Sequence, residues 1–100
     1  MTKPLKWTDK ALEEYDALLD YLYENWGAAT LIRVSDEINK TISHIHQNPD
    51  RYPIAIKSKG IRKCVASPQT SIFYKIFVDR IEVTSIFNNR QNPRRIRKLK

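Results

Sequence analysis

The sequence predicts an α+β domain: a short N-terminal strand, an antiparallel two-helix hairpin, then three antiparallel strands forming one sheet with the helices packed on one face. Two segments with helical spacing of apolar residues fill the first half of the chain, and β-branched segments fill the second half. A length of 100 residues, with 41% hydrophobic and 29% charged residues, is typical of one folded domain. We therefore expect residues 1–100 to form a single domain whose last ten residues, 91–100, are a basic tail.

The first helix is predicted by its two ends and by its apolar spacing. A short strand over residues 3–7 precedes it, and Pro4 restricts that strand to a sheet edge or a strand start. Thr8 is a residue type that caps helix N-termini, and Gly27 can adopt the left-handed conformation that often ends a helix. The apolar residues between these ends recur at three- and four-residue steps: Leu12, Tyr15, Leu18, Leu19, Leu22, Tyr23 and Trp26.

A second helix is predicted from about Ala28 to Gln47, with its apolar stripe at Leu31, Val34, Ile38, Ile42 and Ile45. Asn48-Pro49 ends it, because the residue before a proline disfavours the helical conformation. The connection between the helices is very short, so they should form an antiparallel hairpin. Residues 50–60 are expected to be a loop.

Three strands are predicted after this loop, over Ile61–Ala66, Ser71–Val78 and Ile81–Phe87. Asp79-Arg80 is a candidate tight turn between the last two. Connections this short require antiparallel pairing, and a helix pair on one face leaves the other face of the sheet partly open.

Charge is distributed unevenly along the chain. Residues 1–50 contain five Lys/Arg and nine Asp/Glu, whereas residues 51–100 contain thirteen and two. No acidic residue follows Glu82. This asymmetry indicates that the second half contacts something anionic, such as nucleic acid, an acidic protein or a membrane surface.

Several classes of site are not supported by the residues present. Two glycines cannot build a Walker loop or a dinucleotide-binding fingerprint, and the lone Cys64 can form neither a disulfide nor a paired zinc site. His44 and His46 are two residues apart on a helix, so they point in different directions. We therefore expect no cofactor and no metal. No apolar run is long enough to serve as a signal peptide or to span a membrane, so we expect a cytoplasmic protein.

Cations dominate the candidate binding residues. Lys57, Lys59, Arg62 and Lys63 form one group, and a second group follows the last strand. A sheet that places residues 61–66 near residues 85–90 would merge the groups into one surface suited to phosphate contacts. Tyr74 is expected mainly in the core, with stacking on a base as the less favoured role.

The chain resembles the RelE/ParE superfamily of bacterial toxins from type II toxin–antitoxin systems. The resemblance covers nearly the whole chain and rests on WTDKALEEYDALLDYLYENWG, ISHIHQNPDRYP and IRKCVASPQTSIFYKIFVDRIEVTSIFNNRQNP. It implies a toxin held inactive by a cognate antitoxin protein. Such antitoxins are often acidic and would complement a basic face.

The superfamily implies two activities. RelE-like members cleave messenger RNA on the ribosome, and ParE-like members poison DNA gyrase. RelE-like members have an arginine three residues before the tyrosine of the middle strand, where this chain has Ser71, and commonly a tyrosine or histidine near the C-terminus, which this chain lacks. Arg90 matches the arginine at the end of the last strand, and Arg62-Lys63 is a candidate match to a basic pair.

These departures favour the ParE-like branch, with gyrase inhibition as the predicted activity and growth arrest and plasmid stabilisation as its consequences. The first alternative is a metal-independent, ribosome-dependent endoribonuclease in which Arg62, Lys63 and Arg90 stabilise phosphate charge. The second alternative is a non-toxic, non-enzymatic binding module of the same fold. The residues predicted to contact the target or nucleic acid are Arg62, Lys63, Asn88, Asn89, Arg90, Gln91, Arg94 and Arg95.

Overall fold

The computed structural model describes residues 3–88. It contains two helices, α1 (Asp9–Trp26) and α2 (Ala28–Gln47). Five strands form one sheet: β1 (Leu5–Trp7), β2 (Ile54–Ile56), β3 (Ile61–Ser67), β4 (Thr70–Ile76) and β5 (Ile81–Asn88). This arrangement confirms the predicted α+β class and the predicted order of the elements.

The strand order in the sheet is β1-β5-β4-β3-β2. The last three strands pair antiparallel as predicted, whereas β1 pairs parallel to β5, with Leu5 opposite Ile81 and Trp7 opposite Val83. The parallel pairing is possible because the whole chain between the two strands serves as the crossover connection.

The expected loop over residues 50–60 contains regular structure that the sequence did not predict. Two 3₁₀ turns, Pro49–Arg51 and Lys57–Lys59, flank β2, which pairs antiparallel with β3 through Ile54 opposite Arg62. A three-residue strand is too short to show alternation, so no period identifies it in the sequence. The described sheet therefore has five strands rather than the predicted four.

Both ends of α1 follow from the residues that the sequence places there. The Thr8 hydroxyl accepts a hydrogen bond from the Ala11 amide at 3.1 Å, which satisfies one of the donors that the first helical turn leaves unpaired. Gly27 separates the helices at φ 87°, a conformation that side-chain-bearing residues rarely adopt. The hairpin therefore depends on a glycine at this position.

The two helices cover one face of the sheet. Leu18 and Leu22 of α1 and Ile38 and Ile45 of α2 are buried against a row of β4 and β5 side chains. That row comprises Ile72, Tyr74, Ile81, Val83 and Ile86. No helix within residues 3–88 is long and apolar enough to cross a membrane.

Helix α1 also closes the edge of β5 that β1 leaves uncovered. β1 reaches only as far as Val83. Beyond that point the carboxylate of Glu14, which is 8% exposed, accepts hydrogen bonds from the Ser85 hydroxyl at 2.8 Å and the Ile86 amide at 3.2 Å. A buried carboxylate with two donors thus replaces the missing strand partner.

Candidate partner-binding groove

The face of the sheet opposite the helices contains a groove of about 770 Å³. Strands β3, β4 and β5 supply its floor, while the start of α1 and the segment around β2 supply its sides. The residues that line it are Thr8, Lys10, Ala55, Ile56, Lys59, Ile61, Lys63, Val65, Pro68, Ser71, Phe73, Thr84, Ser85 and Phe87.

Strand register determines which side chains meet on the floor. Phe73 of β4 lies between Lys63 of β3 and Ser85 of β5. In the next row, two residues along each strand, Ser71 lies between Val65 and Phe87. Residues two apart on a strand point to the same face, so both rows belong to the floor. The floor therefore contains bulky apolar side chains and small hydroxyl groups side by side.

A bulge in β5 adds a further hydroxyl to this face. Phe73 pairs with Ser85 and the next residue, Tyr74, pairs with Val83, so Thr84 has no partner of its own on β4. The Thr84 hydroxyl donates a hydrogen bond to the Phe73 carbonyl at 3.2 Å. Bulges of this kind redirect side chains, and this one shifts which β5 residues face the groove.

The charged side chains that line the groove are all cationic. Lys10 stands on the α1 side, and Lys59 and Lys63 stand on the β2–β3 side. Lys10 lies 3.6 Å from the buried Glu14 carboxylate, so its charge is partly compensated. The groove among the described residues has no aspartate or glutamate in its lining, so it favours an anionic partner.

Arg62 and Lys63 do not share a face of the sheet, because they are neighbours on one strand and their side chains point to opposite faces. Arg62 lies on the helix side, where its guanidinium donates to the Tyr52 carbonyl at 2.6 Å and the Asp50 carbonyl at 3.3 Å. It thereby holds the segment after α2 against the sheet. Lys63 is exposed in the groove.

The remaining predicted contact residues begin at the end of β5. Asn88 is buried, and its side-chain amide donates to the Thr70 hydroxyl at 2.7 Å, which joins the ends of β4 and β5. Asn89, Arg90, Gln91, Arg94 and Arg95 lie outside the described residues. Their role in contacting a target stays a prediction.

Tyr74 lies in the core, on the helix side of the sheet. Its side chain is fully buried, and its hydroxyl donates to the Pro49 carbonyl at 2.6 Å. Burial raises the pKa of Tyr74 to about 12, against a smaller lowering by the Arg62 guanidinium. Burial also raises the pKa of the nearby Cys64 thiol, which favours its protonated form.

The histidines do not contribute to the groove. His44 is exposed in the last turn of α2, and the His46 ring lies 2.7 Å from the Lys3 carbonyl, where it connects α2 to the segment before β1. Residues 3–88 contain no group of three or more histidine, cysteine or acidic residues that could hold a metal.

Sequence reasoning missed Lys10 and Phe73 as groove residues. Lys10 lies on α1, far in sequence from β3, β4 and β5, and the parallel β1–β5 pairing brings it to the groove. The signal for Phe73 was present: it alternates with the buried Ile72 and Tyr74, so it must point to the open face.

Comparison with protein families identifies the chain. A family model for the ParE toxin of type II toxin–antitoxin systems, parDE, matches residues 5–93. The chain belongs to the ParE toxin family. The resemblance to the RelE/ParE superfamily is thereby confirmed. Comparison with curated proteins found no significant match.

Solved toxin structures share the fold of this ParE-family chain. The chromosomal ParDE system from P. aeruginosa is 19% identical, with a TM-score of 0.75, over 86% of this chain and 95% of that chain. The YoeB/ParE toxin from Agrobacterium tumefaciens is 16% identical, with a TM-score of 0.60, over 85% and 96%. The E. coli DinJ-YafQ toxin-antitoxin complex gives 8% identity and a TM-score of 0.61, over 90% and 96%.

Proposed function

We propose that this ParE-family toxin inhibits DNA gyrase, causes growth arrest when it is made alone, and is neutralised by a co-encoded antitoxin. Its open-face groove is the proposed contact surface. The observation that supports binding rather than RNA cleavage is the composition of that groove, in which lysine is the only titratable residue type among the described lining residues.

Metal-independent RNA cleavage requires a base for the 2′-hydroxyl and an acid for the leaving oxygen. The described lining of the groove includes no histidine, tyrosine, aspartate or glutamate. Residues 89–100 contain none of these residue types either, so the tail has none to add. A groove of lysines, hydroxyls and apolar side chains is better suited to holding an anionic surface than to transferring protons.

Ser71 is consistent with the same proposal. Its side chain lies in the groove between Val65 and Phe87, at the position where the resemblance implies an arginine in the ribonuclease branch. A guanidinium there would provide two parallel donors to a phosphate, and a serine hydroxyl provides one neutral donor.

Gyrase supercoiling of relaxed plasmid with ATP, titrated with the purified full-length protein, tests the proposal. We expect loss of supercoiling or trapped cleaved DNA, and reversal of either effect by excess antitoxin. Lys63→Ala should weaken the inhibition, because it removes an exposed cation from the groove. Lys40→Ala is the matched control, since Lys40 is exposed on α2, away from the groove.

Unchanged supercoiling by the folded protein would contradict the gyrase proposal. Cleavage of messenger RNA on programmed ribosomes by the same preparation would then identify the ribonuclease alternative. Growth without arrest, with neither effect in vitro, would identify the non-toxic binding module.

A further inference from the structure

The solvent face of α1 combines exposed apolar side chains with a stripe of acids. Leu12 and Tyr23 on this face are 46% and 61% exposed. The exposed acids recur at three- and four-residue steps, so they lie on one side of the helix. They are Asp9, Glu13, Asp16, Asp20 and Glu24. None of these five acids takes part in an ion pair within residues 3–88, so the described part of the chain leaves their charge uncompensated.

The acids of α1 repel one another. Asp16 is four residues from Asp20, and Asp20 is four residues from Glu24, a spacing at which like charges destabilise a helix. The single cation of the helix, Lys10, lies 3.6 Å from the Glu14 carboxylate. The last turn of α1 has no basic residue, although the helix dipole favours a cation there. A cationic group from elsewhere would therefore stabilise this helix face.

The end of β5 brings a strongly basic segment to α1. Glu14 of α1 accepts hydrogen bonds from Ser85 and Ile86, and β5 ends two residues later at Asn88. The following segment, residues 89–100, lies outside the described residues; it contains six lysines and arginines and no acid. Twelve extended residues span about 40 Å, and the 18 residues of α1 span about 27 Å. The segment is therefore long enough to reach every acid of the stripe.

The other surfaces near this segment are less favourable for it. The groove on the open face is lined by Lys59 and Lys63, which repel cations. Helix α2 packs mainly on β3, which is separated from β5 by β4, and its exposed residues include Arg33 and Lys40. Charge and distance thus both favour α1 over the groove and over α2.

We propose that the solvent face of α1 binds residues 89–100 of the same chain, with arginines of this segment against the Asp16 and Asp20 carboxylates. Ile96 and Leu99 of the segment then contact the exposed apolar side chains of α1. The contact makes α1 an internal competitor for anionic molecules, because the same cations cannot bind α1 and a phosphate backbone together. It does not depend on which target the toxin has.

Disulfide trapping in the full-length protein tests where the segment lies. Ala17→Cys with Ile96→Cys places one thiol on the exposed face of α1, and Val65→Cys with Ile96→Cys places it in the groove, where Val65 is 60% exposed. In a glutathione redox buffer we expect the first pair to form its intramolecular disulfide about fivefold faster than the second. Ile96→Cys alone reports any disulfide with the buried Cys64. Circular dichroism checks that each variant is folded.

Neutralising one acid tests the charge contribution. Asp20→Asn, added to the Ala17→Cys and Ile96→Cys pair, should slow trapping by about threefold, because it removes a partner of the arginines. Asp36→Asn is the matched control, since Asp36 is an exposed aspartate of α2 with no ion pair among the described residues. Added salt should slow trapping in the same pair, because the carboxylates are exposed and screened.

Competition for anions gives a second, independent measurement on the chain without added cysteines. The affinity for a labelled oligothymidylate, measured by fluorescence anisotropy, should rise about threefold in Asp20→Asn and less in Asp36→Asn, because only the first releases the basic segment.

Three results would overturn the proposal: equal trapping rates for the α1 and groove pairs, disulfides that form only between two molecules, or equal effects of Asp20→Asn and Asp36→Asn in both measurements. Unchanged supercoiling would contradict the gyrase proposal alone, since neither measurement involves gyrase.

Discussion

The two faces of the sheet make different contacts, although they are built from alternate residues of the same strands. On β3, Arg62 reaches toward the helices and bonds to backbone carbonyls, while the adjacent Lys63 points into the open groove. On β4, Tyr74 is fully buried, while Phe73 lies in the groove. A one-residue step therefore separates a residue that stabilises the fold from one available to a partner.

This difference teaches that residue type alone does not tell whether a side chain packs against the helices or faces the groove. Both faces have a cation on β3 and an aromatic ring on β4. The two faces differ in whether their polar groups have partners within the chain. On the helix side, Arg62 and Tyr74 donate hydrogen bonds to backbone carbonyls. On the groove side, Lys63 takes part in no ion pair among the described residues. The comparison predicts that equivalent truncations on the two faces have unequal consequences.

The largest contrast is expected between Tyr74→Ala and Phe73→Ala. Tyr74→Ala should cost about 3–5 kcal/mol of unfolding free energy, because it leaves a cavity and an unpaired Pro49 carbonyl. Phe73→Ala should cost about 1 kcal/mol, because its side chain is only partly buried. Urea denaturation followed by tryptophan fluorescence measures both. Similar losses for the two variants would remove the distinction between the faces.

Alkaline pH should lower the free energy of unfolding through Tyr74, on the helix side of the sheet. The pKa of Tyr74 is raised from 10 to about 12, so the folded state retains a proton that the unfolded state releases. Its stabilising contribution is complete below pH 10 and is lost progressively as pH rises toward 12, by up to about 3 kcal/mol. Denaturation midpoints across this range should fall more in wild type than in Tyr74→Phe. Parallel pH profiles would contradict the assignment to Tyr74.

Glu14→Ala tests the contact through which α1 covers the edge of β5. The substitution leaves the Ser85 hydroxyl and the Ile86 amide without their buried acceptor, so we expect a loss of about 1–3 kcal/mol. Glu13→Ala is the matched control, because Glu13 is exposed on the same helix and should change stability by less than about 0.5 kcal/mol. Amide hydrogen exchange at Ile86 should accelerate in the first variant alone. Unaltered exchange at Ile86 would show that the Glu14 carboxylate does not protect this amide of β5.

The smallest contrast is expected between Arg62→Ala and Lys63→Ala. Arg62→Ala should cost about 1–2 kcal/mol, because it removes bonds to the Tyr52 and Asp50 carbonyls; the 3.8 Å ion pair with the exposed Asp50 adds little. Lys63→Ala should change stability by less than about 0.5 kcal/mol and reduce toxicity instead. Thermal unfolding and growth after induction measure the two effects. Loss of toxicity in Arg62→Ala at full stability would place Arg62 in target contact.

The sequence alone determined the elements that have strong local signals. Helical apolar spacing, a Thr8 cap and a positive-φ Gly27 fix α1 and α2, because each acts over a few neighbouring residues. Alternation in β4 determined that Phe73 and Tyr74 face opposite ways. The resemblance carried by the motifs led to the toxin family, which the family comparison bears out.

Only the tertiary structure decided which distant residues share the groove. Lys10 and Lys63 are brought to one face by the parallel β1–β5 pair and by the strand order, neither of which has a local sequence signal. The tertiary structure also decided β2, which is too short to show a period in the sequence. It likewise decided the hydrogen bonds of Arg62 to the Asp50 and Tyr52 carbonyls, because they require the segment after α2 to lie beside β3. Local patterns set the direction of a side chain along its own strand. Its neighbours depend on pairings between residues far apart in the chain, whose free energy is realised only when the whole sheet forms.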